Sequence, residues 1–125
     1  MPVSRNYIQY AIDLLNAFGP VTTKRMFGGA GIYFDGLFFA LLADDVLYFK
    51  VDEANKADYL NAGMGPFKPF GSYEMSYYEV PADVLEDEEQ LKEWAHKAFS
   101  AAMRNTAARR KTATRARRKP RKDPD

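Results

Sequence analysis

The chain has 125 residues, 46% apolar and 14% aromatic, with no cysteine. That length suits one domain with a real core, and the cysteine count excludes a disulfide framework, a thiolate metal site and a thiol nucleophile. The formal net charge of +1 hides a separation: Arg104–Asp125 holds ten Lys/Arg and two Asp/Glu, or +8, which leaves −7 on the 103 residues before it.

In chain order, Ser4 is placed to cap a first helix over residues 5–18, where Ile8, Ala11, Ile12, Leu15 and Phe18 share one face. Gly19-Pro20 stops it. The stretch KRMFGGAGIYFDG (Lys24–Gly36) follows, with four glycines in thirteen residues. GIYF and LFFALL then flank Asp35-Gly36, a hairpin signal because a two-residue turn needs positive φ. Asp44-Asp45 marks the next turn, and VLYFKV (Val46–Val51) reads as a third strand of a meander. A second helix is expected over residues 53–62, ending at Gly63. The loop GMGPFKPFGS carries a short strand near 67–70, and SYEMSYYEVP (Ser72–Pro81) reads as a further strand. Asp87, with Gln90 three residues on, starts the last helix as an aspartate version of a capping box. Leu91, Trp94, Ala95, Ala98, Phe99 and Ala102 form its apolar stripe. The predicted architecture is α+β, an antiparallel sheet with packed helices in the order α-β-β-β-α-β-β-α.

Along LFFALL both alternating sets are apolar: Leu37, Phe39 and Leu41 on one face, Phe38, Ala40 and Leu42 on the other. A sheet covered on one side shows polar residues on the other. Either helices cover both faces here, or a second copy of the chain does.

The glycine stretch is not read as a phosphate loop. A Walker loop needs Lys-Ser or Lys-Thr after its glycines, and a dinucleotide loop sits between a strand and a helix, whereas these glycines precede a strand. The expected role is steric. Gly28, Gly29 and Gly31 let the backbone enter the first strand with a bulge or a close approach to the first helix, and Asp35-Gly36 makes the turn. His96 is the only histidine and falls near the edge of the last helix's stripe, a surface or half-buried position rather than a catalytic one. Asp44, Asp45, Asp52 and Glu53 lack the spacing of a calcium loop and read as turn and cap residues. The tyrosines of Ser72–Pro81 sit beside Glu74 and Glu79, which repel phosphate, so they are assigned to the core. No catalytic residue, metal site or cofactor is expected.

Residues 1–103 are read as the globular domain and 104–125 as a basic tail, flexible or partly helical. High charge density argues for fraying, and the alanines in NTAARRKTATRARRK tolerate a helix. Arg109, Arg110, Lys111, Arg115, Arg117, Arg118, Lys119, Arg121 and Lys122 are the candidate nucleic-acid contacts, to DNA or RNA phosphates without sequence readout. A tail that only solubilises, or one that lies back on the acidic body, is the alternative. No stretch approaches the roughly 20 apolar residues of a membrane span, and MPVSRNYIQY lacks a secretory apolar core, so a cytoplasmic protein without membrane contact is expected.

Several segments together resemble one family. RMFGGAGIY (Arg25–Tyr33), DGLFFAL (Asp35–Leu41), LYFKVD (Leu47–Asp52), the PFKPF loop (Pro66–Phe70) and MSYYEVP (Met75–Pro81) are similar, in order and spacing, to the N-terminal domain of the TfoX/Sxy family of bacterial competence regulators. The resemblance covers residues 5–103. It implies an α+β fold similar to type III secretion chaperones and no catalytic residues; it is the family's full-length competence regulators that act with a cyclic-AMP receptor protein at promoters. Competence regulators of the family carry a second, C-terminal domain. Here only the basic tail follows Met103, so a stand-alone member is expected, with no ligand-binding residues to carry over. The function expected is that of a non-enzymatic regulatory or adaptor protein, its body meeting a protein of the transcription machinery or a second copy, its tail meeting nucleic acid. A homodimerising interaction module without nucleic acid is the second reading, and a small-ligand binder with the loop Gly63–Gly71 as a lid is the third.

Overall fold

A computed structural model describes residues 3–26, 28–69 and 74–118, with side chains through residue 110. The elements are α1 (Arg5–Leu15), β1 (Thr22–Met26), β2 (Gly29–Phe34), β3 (Leu37–Ala43), β4 (Val46–Lys50), α2 (Lys56–Asn61), β5 (Tyr77–Glu79), α3 (Ala82–Leu85) and α4 (Glu88–Arg118). The strands form one antiparallel sheet in the order β1-β2-β3-β4-β5, each paired with its neighbour in sequence. The α+β architecture expected from the sequence is the one found.

Local chemistry explains the joints. Ser4 Oγ accepts a hydrogen bond from the Tyr7 amide at 3.1 Å and caps α1, leaving one fewer unpaired donor at the helix start. The β2–β3 turn places Asp35 at φ 53° and Gly36 at φ 78°, and the β3–β4 turn places Asp44 and Asp45 at φ 56° and 58°. Paired positive φ values match the right-handed twist of the strands on either side. Gly63, at φ 77°, ends the short α2. Asp87 Oδ1 accepts from the amides of Glu89 and Gln90 at the start of α4. The Gln90 side chain bonds the Asp87 carboxylate at 3.0 Å, where a capping box would use the backbone amide.

Helices α1 and α4 cover one face of the sheet. Leu91, Ala95, Ala98 and Ala102 of α4 are buried, as are Ala11 and Leu15 of α1. They meet Ile32, Phe39, Leu42, Leu47 and Phe49 from three strands. The alanines let α4 lie close on the sheet. Phe18, just after α1, fills the space between Phe34, Phe39 and Phe99, with ring centroids at 4.8, 5.4 and 6.2 Å.

Three details differ from expectation. A strand, β1, precedes the predicted meander. The short strand placed at 67–70 appears as a bridge between Pro66 and Tyr78, with residues 65 and 67 hydrogen-bonded along the free edge of β5. Residues 70–73, which include the ends of two predicted strands, lie outside the described residues. Lastly, β3 does not alternate simply. Ala40 pairs with Ile32 and Phe38 with Tyr33, so Phe39 is an extra residue opposite β2. This bulge puts Phe39 and Ala40 together in the helix-covered core with Leu42, and Leu37 packs beside them. Phe38 and Leu41 are left for the other face. Of the alternatives for that face, neither is needed to bury Leu41: Phe67 and Met75 border it together with Met26, and Leu41 is 7% exposed.

Gly29 and Gly31 lie within β2. A Cβ on Gly29 would strike the Leu42 carbonyl oxygen, and one on Gly31 would come within 2.7 Å of Met26 Cε and 3.0 Å of Phe38 Cε1. The close neighbours are thus the adjacent strands rather than α1. Gly28, at φ 76°, offers its carbonyl to the Val3 amide at 2.9 Å.

Candidate functional site

The basic residues read as nucleic-acid contacts fall mostly on one element. The backbone of α4 continues as helix from the core through Arg118, past the point where charge density argues for fraying. Its 31 residues span about 46 Å at 1.5 Å per residue. Positions 109, 110, 111, 115, 117 and 118 lie on this helix, with Arg109 and Arg110 exposed to solvent. Lys119, Arg121 and Lys122 lie outside the described residues.

The place where α4 leaves the body is built with care. Arg104 grips Asp52, which follows β4, through two charge-assisted bonds, Nε to Oδ2 at 2.7 Å and one terminal nitrogen to Oδ1 at 3.0 Å. That bidentate geometry suits the planar guanidinium. The Arg104 hydrogen bond is the main cause that holds the Asp52 carboxyl below the usual aspartate range, with the Ala54 amide helping. Asp52 also begins the turn into α2: its amide donates to Asn55 Oδ1 at 2.8 Å, and Asn55 Nδ2 donates to the Lys50 carbonyl at 3.1 Å. Turn and cap duty is therefore only part of what Asp52 does.

Beside this ion pair is a cleft of about 640 Å³ between the sheet end and α4. Tyr33, Phe38, Ser76 and Tyr77 come from the sheet side, and Asn105, Thr106 and Arg109 from the helix. Lys50, the last residue of β4, points into it. Lys50 is 9% exposed, its Nζ donates to Ser76 Oγ at 2.7 Å, and it lies 5.1 Å from the centre of the Tyr77 ring. Burial pushes its pKa down, the Arg109 charge pushes the same way, and Asp52 opposes both. Tyr33, Phe38 and Tyr77 form a row of rings with successive centroids 5.3 Å apart. Of the tyrosines assigned to the core, Tyr78 is in the helix-covered cluster and Tyr77 is buried on the opposite face.

Lys50, Ser76, Asn105 and Thr106 were not singled out in the sequence. Their only signal is the lysine at the end of an apolar strand, and its direction depends on the register of the sheet. His96 is exposed and meets the Phe18 ring edge-on at 5.0 Å. Asp45 Oδ1 accepts from the Ser4 amide at 2.8 Å and ties the start of α1 to the β3–β4 turn. Among the described residues, no three His, Asp or Glu side chains converge as a metal site would require. No helix of the described residues is long and apolar enough to cross a membrane.

No curated protein matches the chain. Among protein families, residues 13–102 match the TfoX N-terminal domain, a span from within α1 to the buried Ala102 of α4. It takes in every strand and stops before the Arg104 clasp and the basic end of the helix. The match runs over more than half of the chain and over the segments whose order and spacing suggested the same family. The chain belongs to the TfoX N-terminal domain family.

Proposed function

We propose that this protein is a non-enzymatic regulatory adaptor of the cytoplasm whose basic helical end holds nucleic acid through phosphates, while the domain meets a protein partner of the transcription machinery. The observation that carries this reading is the separation of charge along one continuous helix. Up to residue 103 the chain is acidic, and from Arg104 it is strongly basic. A basic helix fixed at its base by the core and by Asp52 presents cations to an anionic polymer, and the acidic body keeps the rest of the surface away from it. The family's regulatory character agrees with a binding role.

Binding of this kind carries no sequence readout, because phosphate contacts position a protein without reading bases. Replacing Arg109, Arg110 and Lys111 together with glutamine tests it. Retention on immobilised duplex DNA should fall in proportion to the charge removed and be equal for unrelated duplex sequences. Retention undiminished by the triple replacement, with three of the nine candidate cations gone, would defeat the proposal.

A further inference from the structure

Of the residues that line the cleft at the base of the α4 extension, the phosphate-holding role of the helix end uses only Arg109. Buried lysines are uncommon and are usually paired with a carboxylate. Lys50 instead meets a serine hydroxyl and an aromatic face. Arg109, across the cleft, forms no ion pair among the described residues and adds a second positive charge on the same space. Among the described residues that line the cleft, Glu74 is the only carboxylate, and it pairs with Lys68 at 3.7 Å. Two cations therefore face one cavity, and the carboxylates near them, Glu74 and Asp52, are each paired with another cation. Ser76, whose Oγ meets Lys50, and Thr106 line the same cavity and bring hydroxyls to it. Next to this polar end, half-buried Tyr33 and Phe38 give an aromatic wall, their rings inclined at 32°.

The geometry points to a binding site here for a small phosphate-bearing molecule with a planar ring, a mononucleotide being the simplest. Lys50 and Arg109 hold the phosphate, Ser76 and Thr106 add hydrogen bonds, and the ring lies against Tyr33 and Phe38. The volume of about 640 Å³ is in the ordinary range for small-ligand sites. A phosphate between Lys50 and Arg109 relieves their mutual repulsion and offsets the burial of the lysine. Because it touches both the sheet and α4, it also fastens the helix extension to the body. This site does not rest on duplex binding by the helix end, and either can fail without the other.

The test is calorimetric titration of the full chain with adenosine 5′-monophosphate, inorganic phosphate and adenosine, followed by amide NMR. The nucleotide should bind roughly tenfold or more tightly than phosphate or adenosine alone, with the largest shifts at Tyr33, Ser76 and Thr106. Arg109→Gln, at an exposed position, should weaken it by roughly tenfold. Lys50→Met should weaken it further, provided circular dichroism shows the variant folded; Arg109→Gln decides the matter if it is not. A 5′-phosphorylated dinucleotide that shifts the same amides and binds more tightly than the mononucleotide identifies a strand end as the source of the phosphate, and weaker binding identifies the free nucleotide. No heat and no shifts at millimolar nucleotide, or binding untouched by Arg109→Gln, would overturn the assignment.

Discussion

Tyr59 shows how a single side chain sets a local balance. Its ring is 1% exposed and packs against Tyr78 and Trp94, at 5.8 and 4.7 Å, while its buried hydroxyl has no hydrogen-bond partner among the described residues. An unmet buried hydroxyl costs more than it contributes, so Tyr59→Phe should leave stability unchanged or raise it by up to about 1 kcal/mol, read as the urea midpoint. At Gly29 the constraint is steric, because the atom in the way belongs to the β3 backbone. Gly29→Ala should cost about 1–3 kcal/mol. Gly31→Ala should cost less, since Met26 and the Phe38 ring can give way. Equal losses at the two glycines would refute this account of β2. Asp52 makes a prediction about pH. Its carboxyl is held low mainly by Arg104, so the clasp stabilises the fold above the ordinary aspartate range and is lost as pH falls through the lowered value. Carboxyl NMR should show Asp52 titrating below the ordinary aspartate range, and Arg104→Gln should move that midpoint up.

At the scale of elements, α4 depends on small residues. Ala95, Ala98 and Ala101 are fully buried, and each marks a place where the helix comes close to what lies beneath it. Ala98→Leu should lower stability by about 1–3 kcal/mol, measured by denaturant unfolding; an unchanged midpoint would mean that the helix is not seated where the structure puts it. The stripe itself was legible because a one-sided helix leaves a 3.6-residue period in the sequence. Both tight turns were legible as well, because Asp-Gly and Asp-Asp interrupt apolar runs. Strand β1 was not. Its sequence, Thr-Thr-Lys-Arg-Met, lies at the open edge of the sheet and buries too little to leave an alternation. The bulge at Phe39 was hidden for the opposite reason: with apolar residues on both faces of β3, no register is disfavoured by the pattern alone. The cleft was illegible because Lys50, Ser76 and Arg109 are far apart in sequence and meet only through the sheet register and the exit of α4.

For the whole molecule, charge separation is the feature that links sequence to role. It was visible from composition alone, while its mounting was not, since the clasp between Arg104 and Asp52 joins residues 52 apart in sequence. A basic segment carried as helix from a buried base keeps a defined direction, which a loose tail would not. Electrostatic binding of this kind weakens as salt rises, because phosphates release their counterions when cations replace them, with a log–log slope of about −0.9 per duplex phosphate neutralised. Fluorescence anisotropy of a labelled DNA duplex, titrated with the full chain and with a version ending at Arg104 across a series of salt concentrations, reads that slope directly. The full chain should bind with a slope of several units and the shortened chain should not bind. Salt-independent binding, or equal binding by both chains, would contradict an electrostatic role for the end of α4.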